Sequence, residues 1–503
     1  MKILIGTDIL LCYLLKADYI DGIHLLINWL DKIKAEKIID ISSVAILTNF
    51  APISEFDKLY TFIPLKIVPP LTSKIYSLKS KIKNLLYVER KSANTALAHL
   101  NLLDTNNVDY LITENEQTHL MSQEIGLDSR VYTIESFIEK CSIEYRHLDE
   151  TKGAIVQICK FGSLSIKDPF FGDFKREYNP YFMEWFRKKA DDDVFISTDK
   201  KGRLKALLKL KIEDETEDYS DICPVFQPLR RLKISSLKVN YNGQKLGERF
   251  MRIIFQTALI NQVEEIYITI FNNNKARKRL INMITTWGFE NYGEKESGKL
   301  YNELVYVKKM KYTFKNDIMK NFPMHHIPNH AFIIPLNKTY VYQLLPQDTL
   351  FEDKLDIMPT KRAIKKIVIL NNSSNTEISS GDCLLFYQNS LEKQERKLLA
   401  VGIVEYIYKK FETYQEFYNR CRKRSILSNE ELTNYWIKAN REPVVIEFLY
   451  IYGIESFNID NNDLEMNEIN TSQITSQTPI KINIRQYLNL LKKTSYEMYL
   501  TTN

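Results

Sequence analysis

The chain has 503 residues, 44% of them hydrophobic and 26% charged, which is the make-up of a folded protein with several cores and excludes a disordered or fibrous one. Its net charge of +6 is mild for that length: compatible with nucleic-acid binding where basic residues cluster, but no demand for it. No apolar run reaches the ~18 residues of a membrane span, and the six cysteines form no C-x-x-C pair, which argues against a zinc ribbon or a disulfide framework and for a cytoplasmic setting.

The first eleven residues are mostly apolar, but Asp8 interrupts the run and no small-residue cleavage site follows, so they read as a buried strand entering a helix. From there to residue 148, short apolar runs alternate with helical patterns, which predicts an α/β domain on a parallel sheet, with strands at residues 2–6, 38–42, 110–113 and 131–133. Asp8 stands just past the first strand and Thr113-Glu114-Asn115 at the same end of a later one, where such sheets place their sites. The stretches Thr7-Asp8-Ile9-Leu10-Leu11, Val108-Asp109-Tyr110-Leu111-Ile112-Thr113-Glu114-Asn115 and Val131-Tyr132-Thr133-Ile134-Glu135-Ser136-Phe137 resemble a PIN domain, a family of metal-dependent ribonucleases. The resemblance implies carboxylates around Mg²⁺ or Mn²⁺, since hard cations take oxygen ligands and the metal activates a water. Of the family's acidic positions only Asp8 keeps its charge; the others fall near Thr48, at Asn94 and at Asn115, with Glu114 and Glu89 as nearby substitutes. The implied metal set is Asp8, Glu114, Asn94 and Asn115, with Asp8 and Glu114 catalytic, and so reduced a set predicts a degenerate scaffold that still binds RNA or a protein partner.

Residues 149–312 are expected to form a second domain. Asp168-Pro169-Phe170-Phe171-Gly172-Asp173 leads into an aromatic helix with Glu184, strands follow at 194–198 and 204–212, and residues 213–221 form an acidic loop. Residues 232–239 then alternate as a strand, 242–247 make a turn, 244–255 follow a helical period, and 265–271 form the next strand. A turn between strand and helix presents free main-chain N–H groups and the helix dipole to an anion. The turn Asn242-Gly243-Gln244-Lys245-Leu246-Gly247 and the later Trp287-Gly288-Phe289-Glu290 resemble the acyl-CoA-binding half of the GNAT acetyltransferases, a mixed-sheet fold. By that resemblance acetyl-CoA is the cofactor, held by Leu237, Val239, Asn242, Gly243, Gln244, Lys245, Leu246, Gly247 and Glu248, although Asn242 and Lys245 depart from the family's pattern. The chemistry needs a base for the acceptor amine and an acid for the thiolate. The helix that carries the family's tyrosine has none here, which leaves Tyr292 or Tyr301 as acid and Glu184, Asp173 or Glu303 as base.

Residues 313–330, with His325, His326 and His330, read as a linker. From 331 to 503 short strands dominate, and Ile378-Ser379-Ser380-Gly381-Asp382-Cys383-Leu384-Leu385-Phe386-Tyr387 with Ala400-Val401-Gly402-Ile403-Val404-Glu405 resemble the PUA-like barrels, ASCH domains in particular, which implies a C-terminal β-barrel that binds RNA. Its candidate phosphate contacts are Lys361, Arg362, Lys365, Arg422, Lys423 and Arg424. The three resemblances together imply an RNA-directed N-acetyltransferase, with tRNA the foremost partner, in a toxin-like or phage-defence setting. Two other readings stay open: a PIN ribonuclease whose other domains sense and bind, and a non-catalytic, antitoxin-like or self-associating RNA binder.

Overall fold

The computed structural model describes residues 1–15, 20–50, 65–69, 90–145, 156–178, 180–199, 202–240, 246–272, 275–296, 302–315, 317–345, 362–370, 377–390, 396–422, 424–440, 442–453, 459–470, 474, 478–493 and 500–501. The chain divides into two compact units, one of residues 1–151 and one of residues 152–503 apart from 240–244.

In the first unit, strands β1 (Lys2–Ile5), β2 (Glu36–Asp40), β3 (Leu65–Val68), β4 (Tyr110–Ile112) and β5 (Val131–Tyr132) form an all-parallel sheet in the order β3-β2-β1-β4-β5. Alternation along β1 decides its two faces: Ile3 and Ile5 join Ile9, Leu26, Leu30 and Phe137 in one core, while Leu4 joins Leu97, Leu100, Leu103 and Met121 in another. Four strands lie within two residues of their predicted places, and β3 is an addition that the sequence did not reveal.

In the second unit, β6 (Val156–Lys160), β7 (Asp193–Thr198), β8 (Leu204–Glu213), β9 (Ile222–Cys223), β10 (Arg231–Val239), β11 (Glu265–Ile270), β12 (Glu290–Lys295) and β13 (Glu303–Lys309) make a mixed sheet ordered β6-β7-β8-β10-β11-β13-β12-β9. Only β10 and β11 run parallel, because the helix Leu246–Ile260 carries the chain back between them. That helix buries Phe250, Ile254 and Ala258 with Leu232, Ile234, Ile266 and Ile268, so these residues mark one face of the sheet. The other face carries two aromatic cores, one around Phe161, Phe171 and Phe186 and one around Tyr219, Phe226 and Tyr267.

The chain continues through β14 (His325–His326) into β15 (Ala331–Asn337), β16 (Lys365–Leu370), β17 (Cys383–Asn389), β18 (Lys397–Tyr408), β19 (Val444–Gly453), β20 (Ile459–Asp460) and β21 (Ile480–Ile482). These form a sheet ordered β16-β19-β18-β17-β15-β21, with β20 against β18. Among the described residues no ladder joins β16 to β21, so the expected C-terminal barrel is an open sheet here. Ile333, Leu385, Ile403 and Leu449 belong to the same core as Phe250 and Ile254, so the two sheets of this unit share one apolar interior.

Candidate active site

The site grows from the parallel pair. β10 and β11 stay in register from Arg231↔Glu265 to Ile234↔Ile268, and there the ladder ends. β10 nonetheless runs on to Val239, paired with β8 as far as Val239↔Ala206, and a bulge between Ile234 and Ser236 turns it away from β11. Beyond Ile234 the β11-facing edge of β10 is therefore outside the ladder with β11. An extended ligand with amide groups of its own pairs with such an edge as a strand would.

Of the residues expected to hold acetyl-CoA, Leu237 and Leu246 are buried in the helix-side core and Val239 packs against it, so only their main chains are available to a ligand. Asn242, Gly243, Gln244 and Lys245 lie outside the described residues. Gly247 stands in the first turn of the helix, where a Cβ would lie 2.8 Å from the Met283 sulfur of the helix Lys275–Thr286. Its smallness therefore lets two helices approach each other. Glu248 turns to the C-terminal sheet: its carboxylate accepts the Lys365 N–H at 2.6 Å and the Arg424 guanidinium at 2.7 and 2.9 Å. The parted edge and the helix N-terminus are the kind of main-chain cradle that a CoA pantetheine and diphosphate require.

Across the opposite face, next to the end of the ladder, lies a group of residues that the sequence did not single out together. Thr269 of β11 donates its hydroxyl to the buried Glu303 of β13, and the Tyr178 ring packs 5.7 Å from Phe271. Burial raises the Tyr178 phenol well above its usual value, and the nearby Glu303 charge adds to the rise. Glu303 was one of several candidate bases. Tyr178 and Thr269 were missed, since a lone tyrosine in an aromatic stretch and a threonine in a strand look like packing.

The other candidates have different surroundings. Lys238 donates to Asp173 at 2.8 Å and to the Phe170 carbonyl at 2.8 Å. Burial pushes the Asp173 carboxyl up, but the Lys238 hydrogen bond and charge, with Arg176, outweigh it and hold the group below the usual range, which makes it a weak base. Glu184 is exposed on the helix Phe182–Lys188. Tyr292 donates to the Val225 carbonyl at 3.3 Å and its tilted ring packs 4.7 Å from that of Phe226, and Tyr301 lies outside the described residues.

In the first unit, Asp8 accepts the Thr113 hydroxyl at 2.9 Å and the Glu114 N–H at 2.6 Å. Glu114 accepts the Ile134 N–H at 2.9 Å, and Asn115 caps the helix Glu116–Glu124 through the Thr118 N–H. Asn94 and Thr48 are exposed, and Glu89 lies outside the described residues. Asp8 and Glu114 thus meet through the Glu114 main-chain N–H, and among the described residues no three acidic, histidine or cysteine side chains group as ligands do. The structure instead buries Asp40 at the end of β2, with Ser43 between the Thr7 hydroxyl at 2.5 Å and His99 Nε2 at 3.0 Å. Burial lowers the His99 pKa against the charges of Asp40 and Asp8, so a neutral imidazole joins this network.

Among the basic residues proposed to meet RNA, Lys365 pairs with Glu405 at 2.6 Å and Arg424 with Glu248. Arg422 lies over the Tyr418 ring, Arg362 is half-buried, and Lys361 and Lys423 lie outside the described residues. The histidines separate: His325 is buried in β14, and the His326 ring stacks 3.6 Å from Tyr312.

No protein-family model matches the sequence, and no curated protein matches it. Its neighbours among solved structures are ASCH domains and N-acetyltransferases. ASCH from Zymomonas mobilis is 12% identical and aligns over 32% of this chain and 94% of its own, with a TM-score of 0.24. Arabidopsis thaliana NAA60 in complex with acetyl-CoA is 13% identical over 31% of this chain and 99% of its own, with a TM-score of 0.23. The ribosomal-protein-S18-alanine N-acetyltransferase from Escherichia coli is 11% identical over 32% of this chain and 98% of its own, with a TM-score of 0.22.

Proposed function

We propose that the chain is an acyl-CoA-dependent N-acyltransferase whose acceptor amine is carried by RNA, tRNA first. The observation that carries the transferase reading is the end of the β10–β11 ladder at Ile234↔Ile268, with a bulged β10 and the helix Leu246–Ile260 next in the chain among the described elements. The main chain of residues 235–239 and the first turn of the helix Leu246–Ile260 would hold the cofactor. Acetyl-CoA, when bound, supplies an activated acyl thioester. Glu303, fixed by the Thr269 hydroxyl, receives the acceptor's proton at its carboxylate, and the Tyr178 phenol, kept protonated by burial, is a donor on the same face. Tyr292 and Glu184 are the second acid and base to compare. The RNA part of the reading rests on the PIN-like and ASCH-like stretches of sequence, with Lys361, Arg362, Lys365, Arg422, Lys423 and Arg424 as the basic residues to test, of which Lys365 and Arg424 pair with Glu405 and Glu248.

Mass spectrometry of the purified protein for bound CoA, followed by transfer from radiolabelled acetyl-CoA to total tRNA and to amine-bearing peptides, tests the reading. Label in an acceptor supports it; absence of CoA binding by calorimetry refutes it. Glu303→Gln is expected to lower kcat by about a hundredfold with CoA affinity unchanged, and an unaltered kcat removes Glu303 from the chemistry.

A further inference from the structure

Two cations hold the short helix Gly172–Glu177, one on β10 and one on the helix that follows β11. Lys238 of β10 donates to Asp173 in the first turn and to the Phe170 carbonyl just before it, both at 2.8 Å. Arg277, near the start of the helix Lys275–Thr286, donates from Nη2 to Glu177 at 2.5 Å, at the other end of the short helix. The Phe174 ring, midway along it, lies 5.6 Å from the Lys238 amine and 5.9 Å from the Arg277 guanidinium.

Tyr178 is the next residue. Its N–H donates to the Phe174 carbonyl at 2.9 Å and its carbonyl accepts the Phe182 N–H at 2.8 Å, so its main chain is fixed between two helices, while its ring packs against Phe271 just past β11. The Arg277 charge reaches the phenol, opposing the rise that burial and Glu303 cause. The Arg277–Glu177 pair is shielded, with side chains 14% and 9% exposed. An ion pair so far out of water gives little net stability over an apolar pair of the same size; what it gives is direction, because a guanidinium donates along fixed N–H bonds.

We propose that Arg277 is a positioning residue for the transfer: through Glu177 it holds the Tyr178 phenol beside the end of β11, where the hydroxyl meets the sulfur of the departing thiol. This deepens the acyltransferase reading above and rests on it. Tyr178 gives its proton to that sulfur as the C–S bond breaks, Glu303 takes the proton that the amine loses as the C–N bond forms, and both side chains return to their starting forms by exchange with water. Arg277 touches no reacting atom.

The test combines crystal structures, calorimetric titration of CoA and single-turnover transfer from radiolabelled acetyl-CoA to total tRNA or amine-bearing peptides, all on the full chain. Arg277→Met is expected to bind CoA within about twofold of wild type, to let the Tyr178 ring leave Phe271 and to lose about tenfold in transfer rate, and Arg277→Lys, which keeps the charge, to lose less. Tyr178→Phe is expected to lose about a hundredfold. Adding Arg277→Met to it is expected to cost nothing more, since a residue that works through the phenol has nothing left to place. A merely structural role lowers the rate by the same factor in both backgrounds, and that result overturns the proposal. So does an Arg277→Met structure with Tyr178 still against Phe271, or a wild-type rate in Arg277→Met or Tyr178→Phe. If Arg277→Met does not fold, Glu177→Gln, which keeps the shape and removes the charge, carries the same comparisons, and where neither acceptor takes label the place of Tyr178 in the variant structures decides. These failures leave the acyl-CoA reading standing as long as CoA binds; a wild-type protein that binds no CoA removes that reading and this inference with it.

Discussion

At the scale of single residues, side chains that look generic carry specific burdens. Gly288 follows the helix Lys275–Thr286 at a φ of +84°, and a Cβ there would overlap the Lys320 carbonyl oxygen. Gly288→Ala is therefore expected to destabilise the second unit by about 3 kcal/mol or more, seen as an earlier denaturant midpoint. The same carbonyl and that of Trp287 receive the buried Lys308 amine at 2.7 and 2.8 Å. Burial drives the Lys308 pKa down to about 7, with the Asp317 charge opposing. Since an unfolded lysine titrates near ~10.4, the unfolded chain holds this proton through a window where the native chain has released it. Stability from this group is thus flat below its folded pKa and rises with pH above it. From pH 7 to about pH 9 the gain is roughly 2 kcal/mol, and Lys308→Met is expected to abolish the slope in urea titrations. A wild-type midpoint that falls across this range contradicts the assignment.

At the scale of elements, the strand and helix patterns placed most of the framework, because alternation and a helical period are properties of a short window. The parting of β10 and β11 could not be read in that way. Residues 232–239 read as one strand, yet Ser235 sits in a bulge, which lets Leu237 share the helix-side core with Leu232 and Ile234 while Lys238 reaches Asp173 on the other face. Deleting Ser235, the extra residue of the bulge, leaves Ile234, Ser236 and Leu237 opposite Leu210, Lys209 and Leu208 as before and keeps both faces, whereas inserting one alanine after Ser236 exchanges the faces beyond it and places the Lys238 amine in the apolar core. The expected outcome is loss of soluble, cooperatively folding protein for the insertion, while the Ser235 deletion stays folded. Circular dichroism melts of the two variants make the comparison.

At the scale of the whole molecule, the two units differ in how their cores close. The first has an apolar layer on each side of its own sheet, so a fragment of residues 1–151 is expected to fold alone and unfold cooperatively. In the second, Phe250, Ile254 and Trp287 share one interior with Ile333, Leu385 and Leu449, so a fragment ending at residue 312 would bare that surface to water. Such a fragment is expected to aggregate while residues 152–503 stay soluble, as size-exclusion chromatography would show; a monomeric, folded 152–312 fragment would contradict a shared interior. Resemblance by stretches suggested separable parts, because short motifs carry no record of which apolar faces meet.

What the amino-acid order determined by itself was local: the parallel layout around Lys2–Ile5, the strand-turn-helix-strand run from Arg231 to Ile270, and the predominance of strands after Ala331. These follow from spacings of two and of three to four residues, which act between near neighbours. What only the tertiary structure decided was which charges are already met. Asp8 accepts the Thr113 hydroxyl and the Glu114 main-chain N–H, while the charge of Lys365 is met by Glu405 and that of Arg424 by Glu248, partners that lie 40 to 176 residues apart. An ionisable side chain has no periodicity to betray its partner; its role is set by whichever opposite charge the packed cores bring within reach.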